Sequence, residues 1–250
     1  MKDKERNLEN ISLGMILKWI SEEKDPNKVR AFNIIKSIKL LQINPHMDED
    51  IRVISSEKLN NNLIEGFNHN SQELVDWIEN SAETINRSLA EYNSDYRQLV
   101  CNIILRSKLN GETHYGLLKR SDRVNESRLA DSIGMIGGHA NSADSCLFDA
   151  LLREFEEEIK NISLDDSNIK DQIKLLGFIK DSNSQVSTQH LCVLYIMDLP
   201  DNMVNIKSRD SKETFIWISE NHIRKYISEE SNRLDSWVRI ALSEIINSDK

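Results

Sequence analysis

Acidic side chains are concentrated in the segment Arg153–Ile159, whose sequence is REFEEEI. On a helix of about 100° per residue, Glu158 lies about 40° from Glu154, and Glu157 lies about 60° away on the other side. Three carboxylates then share one face, beside an apolar face. Like charges at these spacings each cost an exposed helix about 0.2–0.5 kcal/mol, so this arrangement calls for a cation.

The expected end of the helix, near Lys160 and Asn161, adds a second unfavourable effect. Glu157 and Glu158 fall in the last turn, where the helix dipole disfavours negative charge. A hard divalent cation such as Mg²⁺, which binds carboxylate oxygens, would reverse both effects. The alternative is a solvated acidic face, since Glu is a good helix former.

The segment in front of the helix favours the metal. Residues 132–138 read SIGMIGG, a short apolar strand that ends in two glycines, and glycine permits close backbone approach. These residues together resemble the Nudix box of the Nudix hydrolase superfamily, usually written G-x5-E-x7-R-E-U-x-E-E-x-G-U with U an aliphatic residue. Arg153 to Glu158 match R-E-U-x-E-E with Phe155 at the U position, and Gly138 matches the leading glycine.

The chain departs from this box in three places. Counted from Gly138, the first glutamate of the box falls on Asp144, and the stretch from Asp144 to Arg153 is one residue too long. Lys160 stands in place of the closing glycine, and Asn161 in place of the last aliphatic residue. The lengthened loop is similar to that of a bacterial branch of predicted Nudix phosphoesterases.

The resemblance implies metal-assisted hydrolysis of a pyrophosphate linkage in a nucleoside diphosphate derivative or a related phosphorylated metabolite. It assigns Glu154, Glu157 and Glu158 to Mg²⁺, or to Mn²⁺ in its place, together with a backbone carbonyl of Gly137 or Gly138. The expected partner is therefore a small phosphorylated molecule that resembles a nucleotide.

The remaining roles are less specific. Glu154, or an acid outside the box, is expected to take the proton from the attacking water, and Arg153 to orient a glutamate or the loop. Glu213 and Glu220, near the last strand, are further candidates for a ligand or base, although exposed acids at element ends explain them as well. A non-catalytic Nudix-like nucleotide sensor and a pure interaction domain stay open as alternatives, but all three box glutamates are present.

Composition limits the other partners. The chain has 250 residues, with 32 Lys and Arg against 41 Asp and Glu, a formal net charge of −9. This charge argues against non-specific binding to nucleic acid or to anionic membranes. No apolar run approaches the roughly 20 residues of a membrane span, and the charged start MKDKERNLEN is not a secretory signal. We expect a cytoplasmic protein.

The three cysteines, Cys101, Cys146 and Cys192, are widely spaced. They form no C-x-x-C pair, so the sequence supports neither a zinc ribbon nor a disulfide framework. Cys101 and Cys192 lie in apolar strand-like runs and are expected in the core, whereas Cys146 lies in the loop before the acidic helix.

The elements around the box divide into two parts. Apolar residues at helical spacing predict two helices over residues 8–42, with a break at Asp25-Pro26. This helical extension, residues 1–45, is too small to be an independent domain. We expect it to pack on the core or to form a homodimer contact, while residues 46–250 form the Nudix hydrolase domain.

The second part reads as alternating strands and helices. Asn70 is expected to cap a helix over residues 71–91 that turns Trp77, Ile85 and Leu89 inward. The terminal helix carries Leu234, Trp237 and Ile245. Strands are expected at 51–55, 96–106, 114–120, 172–181, 190–200 and 214–218. This pattern predicts an α/β protein, an α/β/α sandwich around a mixed β-sheet, which is also the architecture that the resemblance implies.

Overall fold

The structure, a computed structural model, describes residues 11–121, 132–162, 171–229 and 233–248. The helices are α1 Leu13–Glu22, α2 Pro26–Ile43, α3 Ser56–Asn62, α4 Gln72–Ser81, α5 Arg87–Ala90, α6 Leu147–Glu158, α7 Gln185–Gln189, α8 Glu220–Ser228 and α9 Ser236–Ser248. The strands are β1 Asp50–Ser55, β2 Gly66–His69, β3 Glu83–Asn86, β4 Tyr96–Leu109, β5 Glu112–Arg120, β6 Ile133–Gly134, β7 Ile136–His139, β8 Ile159–Lys160, β9 Ile173–Lys180, β10 His190–Asp198, β11 Lys207–Ser208 and β12 Glu213–Ser219.

One large mixed sheet organises the described part of the chain. Its main path runs β12-β5-β4-β10-β9-β2, while β1 and β7 pair with β4, β6 pairs with β5, and β3 pairs with β1. The central strands β4 and β10 are parallel, with Leu99 opposite Leu191. The strands predicted over residues 172–181 and 190–200 are present as β9 and β10, which pair antiparallel.

Helices cover both faces of the sheet because its central strands are apolar on both sides. Along β10, one set of side chains belongs to the core under α6, namely Leu191, Val193, Tyr195 and Met197. The alternate set packs with α8 and α9, namely Cys192, Leu194 and Ile196. The predicted α/β/α sandwich around a mixed sheet is confirmed, and α6 lies on one face of it.

The helical extension contacts the rest of the chain through α2. The rings of Trp19 on α1 and Phe32 on α2 lie 5.6 Å apart. Lys36 of α2 is fully buried and its Nζ donates to the backbone carbonyl oxygens of Leu89 and Glu91, at 3.2 and 2.5 Å. The predicted break at Pro26 is confirmed, since Pro26 opens α2. Residues 8–10 of the prediction lie outside the described residues.

The predicted helix over residues 71–91 is wrong in its second half. The helix ends at Ser81, and residues 83–86 form β3, in which Ile85 lies opposite Ile51 of β1. Leu89 is 38% exposed rather than inward. The cap also differs, since the Ser71 hydroxyl accepts from the Leu74 N–H. Pairing with β1, a partner distant in sequence, outweighs the local helical spacing.

Two smaller predictions concern the cysteines and the membrane. Cys101 and Cys192 are buried, as expected, and Cys146 at the start of α6 is half-buried. Within the described ranges, no helix combines the length and the apolar character needed to cross a bilayer.

Candidate functional site

Two glycines bring the acidic helix close to the sheet. Gly137 has φ +132°, and a Cβ there would lie 2.0 Å from the Cys101 carbonyl oxygen of the neighbouring β4. A Cβ on Gly138 would lie 2.3 Å from Oε2 of Glu154. A side chain at Gly137 would therefore push β7 away from β4, and a side chain at Gly138 would displace the Glu154 carboxylate of α6.

Glu158 is held in place by a hydrogen bond from Gly137. The Gly137 N–H donates to Oε2 of Glu158 at 2.7 Å. Burial raises the pKa of Glu158 to about 8, and the nearby carboxylates of Glu213 and Glu154 add to the rise, while the Gly137 bond and Arg120 oppose it. The carboxyl group is therefore held in place but lacks enough positive charge around it to stay ionised at neutral pH.

Glu154 has a similar environment. Burial raises its pKa, against the opposing hydrogen bond from Arg153. Arg153 Nη1 donates to Oε1 of Glu154 at 2.7 Å. Among the described residues, Oε2 of Glu154 and Oε1 of Glu158 have no hydrogen-bond partner. Each of the two carboxylates thus keeps one oxygen available.

Arg153 joins the helix to the loop before it. Its Nε and Nη2 donate to the two carboxylate oxygens of Asp144, both at 3.0 Å, and Nη2 also donates to the His139 carbonyl oxygen at 2.8 Å. The Asp144 side chain is only 5% exposed. Asp144 occupies the first-glutamate position of the box, and here it serves as the partner of Arg153.

Glu157 lies further out than the other two box glutamates. Its side chain is 60% exposed and lies 3.4 Å from Nη1 of Arg153. In the part of the chain that the structure describes, no group of three or more His, Cys, Asp or Glu side chains is arranged to hold a metal ion. The structure thus brings Glu154 and Glu158 together against the glycines and leaves Glu157 at the rim.

The donor chemistry of this pair fits a divalent cation. Mg²⁺ takes carboxylate oxygens and commonly uses one or two carboxylates with water and substrate phosphate completing its shell. Two half-buried carboxylates with raised pKa values are stabilised in their charged forms by a nearby positive charge. The fit therefore rests on Glu154 and Glu158, with Glu157 as the more exposed third donor.

The two acids outside the box have different surroundings. Glu213 is 13% exposed, lies 3.4 Å from Nε of Arg120, and acts electrostatically on Glu158. Glu220 instead accepts from Arg224 at 2.6 and 2.9 Å, and its other oxygen lies 3.4 Å from the Tyr115 hydroxyl. Glu213 thus lies close enough to the box to affect Glu158, whereas Glu220 pairs with Arg224 on its own helix, α8.

The conformation of the chain after α6 explains why Lys160 can replace the closing glycine of the box. The helix ends at Glu158 and continues directly into β8. The positive φ there falls on Asn161, at +70°, rather than on Lys160. Asn adopts this conformation more readily than most residues, so the exit does not require a glycine at 160.

Sequence reasoning missed Glu79 and Arg52. The Leu147 N–H, at the start of α6, donates to Oε1 of Glu79 at 2.8 Å, and Arg52 pairs with the other oxygen of that carboxylate. These contacts join residues far apart in the sequence, and no local spacing signals them.

No protein-family model matches the chain, and no curated protein does. Among solved structures, the chain is similar to Tm1382, provisionally described as a Nudix hydrolase, with a TM-score of 0.59 and 21% identity over 80% of this chain and 99% of that one. It is also similar to a bifunctional NMN adenylyltransferase/ADP ribose pyrophosphatase from Francisella tularensis complexed with AMP and a Mn ion, with a TM-score of 0.47 and 14% identity over 60% of this chain and 42% of that one. The chain has the fold of the Nudix superfamily.

Proposed function

We propose that the chain is a metal-dependent Nudix hydrolase that cleaves a pyrophosphate linkage in a nucleoside diphosphate derivative or a related phosphorylated metabolite. The observation that carries the proposal is the pair of carboxylates, Glu154 and Glu158, half-buried against the diglycine. Their raised pKa values indicate that the folded chain disfavours their charged forms unless a cation is present. The residue matches to the box and the shared fold support the same conclusion.

The proposed cation is Mg²⁺, with Mn²⁺ as a substitute. Glu154, Glu157 and Glu158 would hold it, with a backbone carbonyl of Gly138. When bound, such an ion neutralises charge on the phosphate oxygens and lowers the pKa of a bound water.

The chain's own residues supply orientation and proton transfer. The Gly137 N–H donates to Oε2 of Glu158 and so orients this carboxylate. Oε1 is thereby left available to bind the cation. Arg153 holds Glu154 through Oε1 and thereby fixes Oε2. We assign Glu154 as acceptor of the proton from the attacking water, through Oε2, the oxygen that Arg153 leaves free.

Metal dependence tests this proposal directly. We would titrate metal-free protein with Mg²⁺ and Mn²⁺ by calorimetry, and measure phosphate or nucleotide release from dinucleotides, nucleotide sugars and triphosphates. Glu154→Gln, Glu157→Gln and Glu158→Gln are each expected to reduce kcat for a cleaved substrate by about 100-fold.

Glu156→Gln is the matched control, since Glu156 lies on the same helix but is exposed. It removes the same charge and should leave kcat within about twofold of wild type. Full activity in the Glu158→Gln variant would exclude the proposed site. Metal and nucleotide binding without any release would instead support the sensor.

A further inference from the structure

The start of the box helix has no capping side chain of its own. Cys146 occupies the N-cap of α6, and its side chain makes no capping hydrogen bond. The first N–H groups of a helix have no partner within the helix and need one elsewhere. For Leu147, the first helical residue, that partner is Oε1 of Glu79 on α4, at 2.8 Å.

Glu79 is itself held firmly. Its Oε2 accepts from Nη2 of Arg52 at 2.5 Å, in a pair whose side chains are 25% and 13% exposed. The same nitrogen lies 3.3 Å from the Glu79 backbone carbonyl oxygen. A carboxylate at this end of a helix also interacts favourably with the helix dipole, so Glu79 supplies both a hydrogen bond and a complementary charge.

Strand β1 holds the other end of the same loop. The Arg52 N–H donates to the Ala140 carbonyl oxygen at 2.8 Å, and the Ser142 N–H donates to the Asp50 carbonyl oxygen at 2.9 Å. An isolated bridge joins Ile51 to Asn141. Residues 140–146, which lead from β7 into α6, are therefore attached at both ends to the segment 50–81.

The position of α6 determines where its carboxylates lie. Glu154 and Glu158 project from the second and third turns of a helix whose first residue is bonded to Glu79. Displacement of reacting groups by about 1 Å can reduce a rate by about 100-fold. Anything that fixes the start of α6 also fixes both carboxylates relative to Gly137 and Gly138.

We propose that the segment 50–81 acts as a brace for the box, and that Glu79 is the positioning residue through which it acts. Glu79 caps α6 in place of the missing N-cap side chain, while Arg52 sets the orientation of Glu79. This inference rests on the proposed function, because the effect of the brace is measured on metal binding and hydrolysis.

The test compares Glu79→Ala with Glu83→Ala. Glu83 lies in the neighbouring β3 and makes only an exposed pair with Lys58 at 3.3 Å, so the control removes the same charge close by. Glu79→Ala is expected to lower kcat about tenfold or more, to leave KM nearly unchanged, and to weaken Mg²⁺ binding. Hydrogen exchange of the Leu147 amide in metal-free protein should accelerate about fivefold, as for one lost hydrogen bond.

A rescue separates positioning from general loss of stability. Cys146→Ser places a hydroxyl at the N-cap, where it can accept from the N–H of Phe148 or Asp149 and hold the same end of α6 by another hydrogen bond. In the Glu79→Ala background, this second substitution is expected to recover a large part of kcat and of the Mg²⁺ affinity. A Glu79→Ala protein with the kcat and Mg²⁺ affinity of Glu83→Ala would overturn the brace, as would a failure of Cys146→Ser to restore either quantity. Wild-type protein that neither binds Mg²⁺ nor releases product would instead overturn the proposed function.

Discussion

Gly138 limits how closely the Glu154 carboxylate can approach β7. A methyl group at this position would meet that carboxylate at 2.3–2.8 Å, well inside van der Waals contact. We expect Gly138→Ala to displace the carboxylate and to reduce kcat by about 10- to 100-fold. Mg²⁺ affinity by calorimetry should fall with it, while the melting temperature changes little because the displaced group is a side chain.

Gly14→Ala is the control for the Gly138 substitution. A Cβ at Gly14 would lie 4.0 Å from the Ser12 hydroxyl and meet nothing closer among the described residues, and Gly14 lies within α1. Alanine is the better helix former there by about 1 kcal/mol, so activity should be unchanged and stability equal or higher. Wild-type Mg²⁺ affinity in Gly138→Ala would contradict the close approach of Glu154.

Glu158 makes the stability of the metal-free protein depend on pH. Burial raises its pKa from 4.5 to about 8, so between these values the folded chain retains a proton that the unfolded chain has lost. Stability from this group is complete below pH 4.5 and is lost as pH rises through 8. The free energy of unfolding of Glu158→Gln, relative to that of wild type, should therefore rise by roughly 2–5 kcal/mol as the pH increases from 5 to 9.

Urea unfolding in the presence of EDTA at pH 5, 7 and 9 measures this difference. Glutamine can still accept the Gly137 N–H bond, so the comparison isolates the charge. Glu156→Gln, which changes an exposed acid on the same helix, should show no such trend. If the free energy of unfolding depended on pH in the same way for wild type and Glu158→Gln, this result would contradict the raised pKa of Glu158.

The helices and strands that the sequence predicts correctly are those that depend on the local spacing of apolar residues. The helical extension, the hairpins and α6 follow from apolar periods and turn residues, and the box identifies the carboxylates by type. Strand β3 does not follow, because Ile85 is in register with a helical pattern and its strand partner Ile51 lies far away in the chain. Glu79 was missed for the same reason, since its bond to Leu147 spans 68 positions.

Lys36 couples the docking of α2 to pH. Burial lowers the pKa of its ammonium from 10.5 to about 8, against the opposing charge of Glu91. Between these values the unfolded chain binds a proton that the folded chain does not, so stability rises as pH increases from 8 to 10.5. Lys36→Met should remove up to about 3 kcal/mol of that rise.

The measurement is urea unfolding of both proteins at pH 7, 8, 9 and 10. Lys28→Met provides the control, since Lys28 lies on the same helix and makes only an exposed pair with Glu23 at 3.7 Å. If the free energy of unfolding changed equally with pH for wild type and Lys36→Met between pH 8 and pH 10, the buried ammonium of Lys36 would not titrate in this range.

At the scale of the whole molecule, the contacts of the box come from residues after the helical extension. Glu79, Arg52 and the diglycine all lie within residues 46–250, whereas Lys36 of α2 bonds to the backbone carbonyls of Leu89 and Glu91. We therefore expect a chain without residues 1–45 to fold and to keep its Mg²⁺-dependent rise in melting temperature. Its melting temperature itself should fall by about 5–10 °C, because buried Leu40 and the Lys36 contacts are lost.

Calorimetric Mg²⁺ titration and light scattering after size exclusion, on the full and shortened chains, measure these effects together. Ile34, Ile38 and Ile43 are exposed on α2, and a homodimer contact through this face would appear as a halving of mass on truncation. Ile34→Ser in the full chain is the matched control, since it alters that face and leaves Lys36 docked. A shortened chain that stays folded but no longer binds Mg²⁺ would show that the extension supports the site itself, and would contradict the division of the molecule at residue 45.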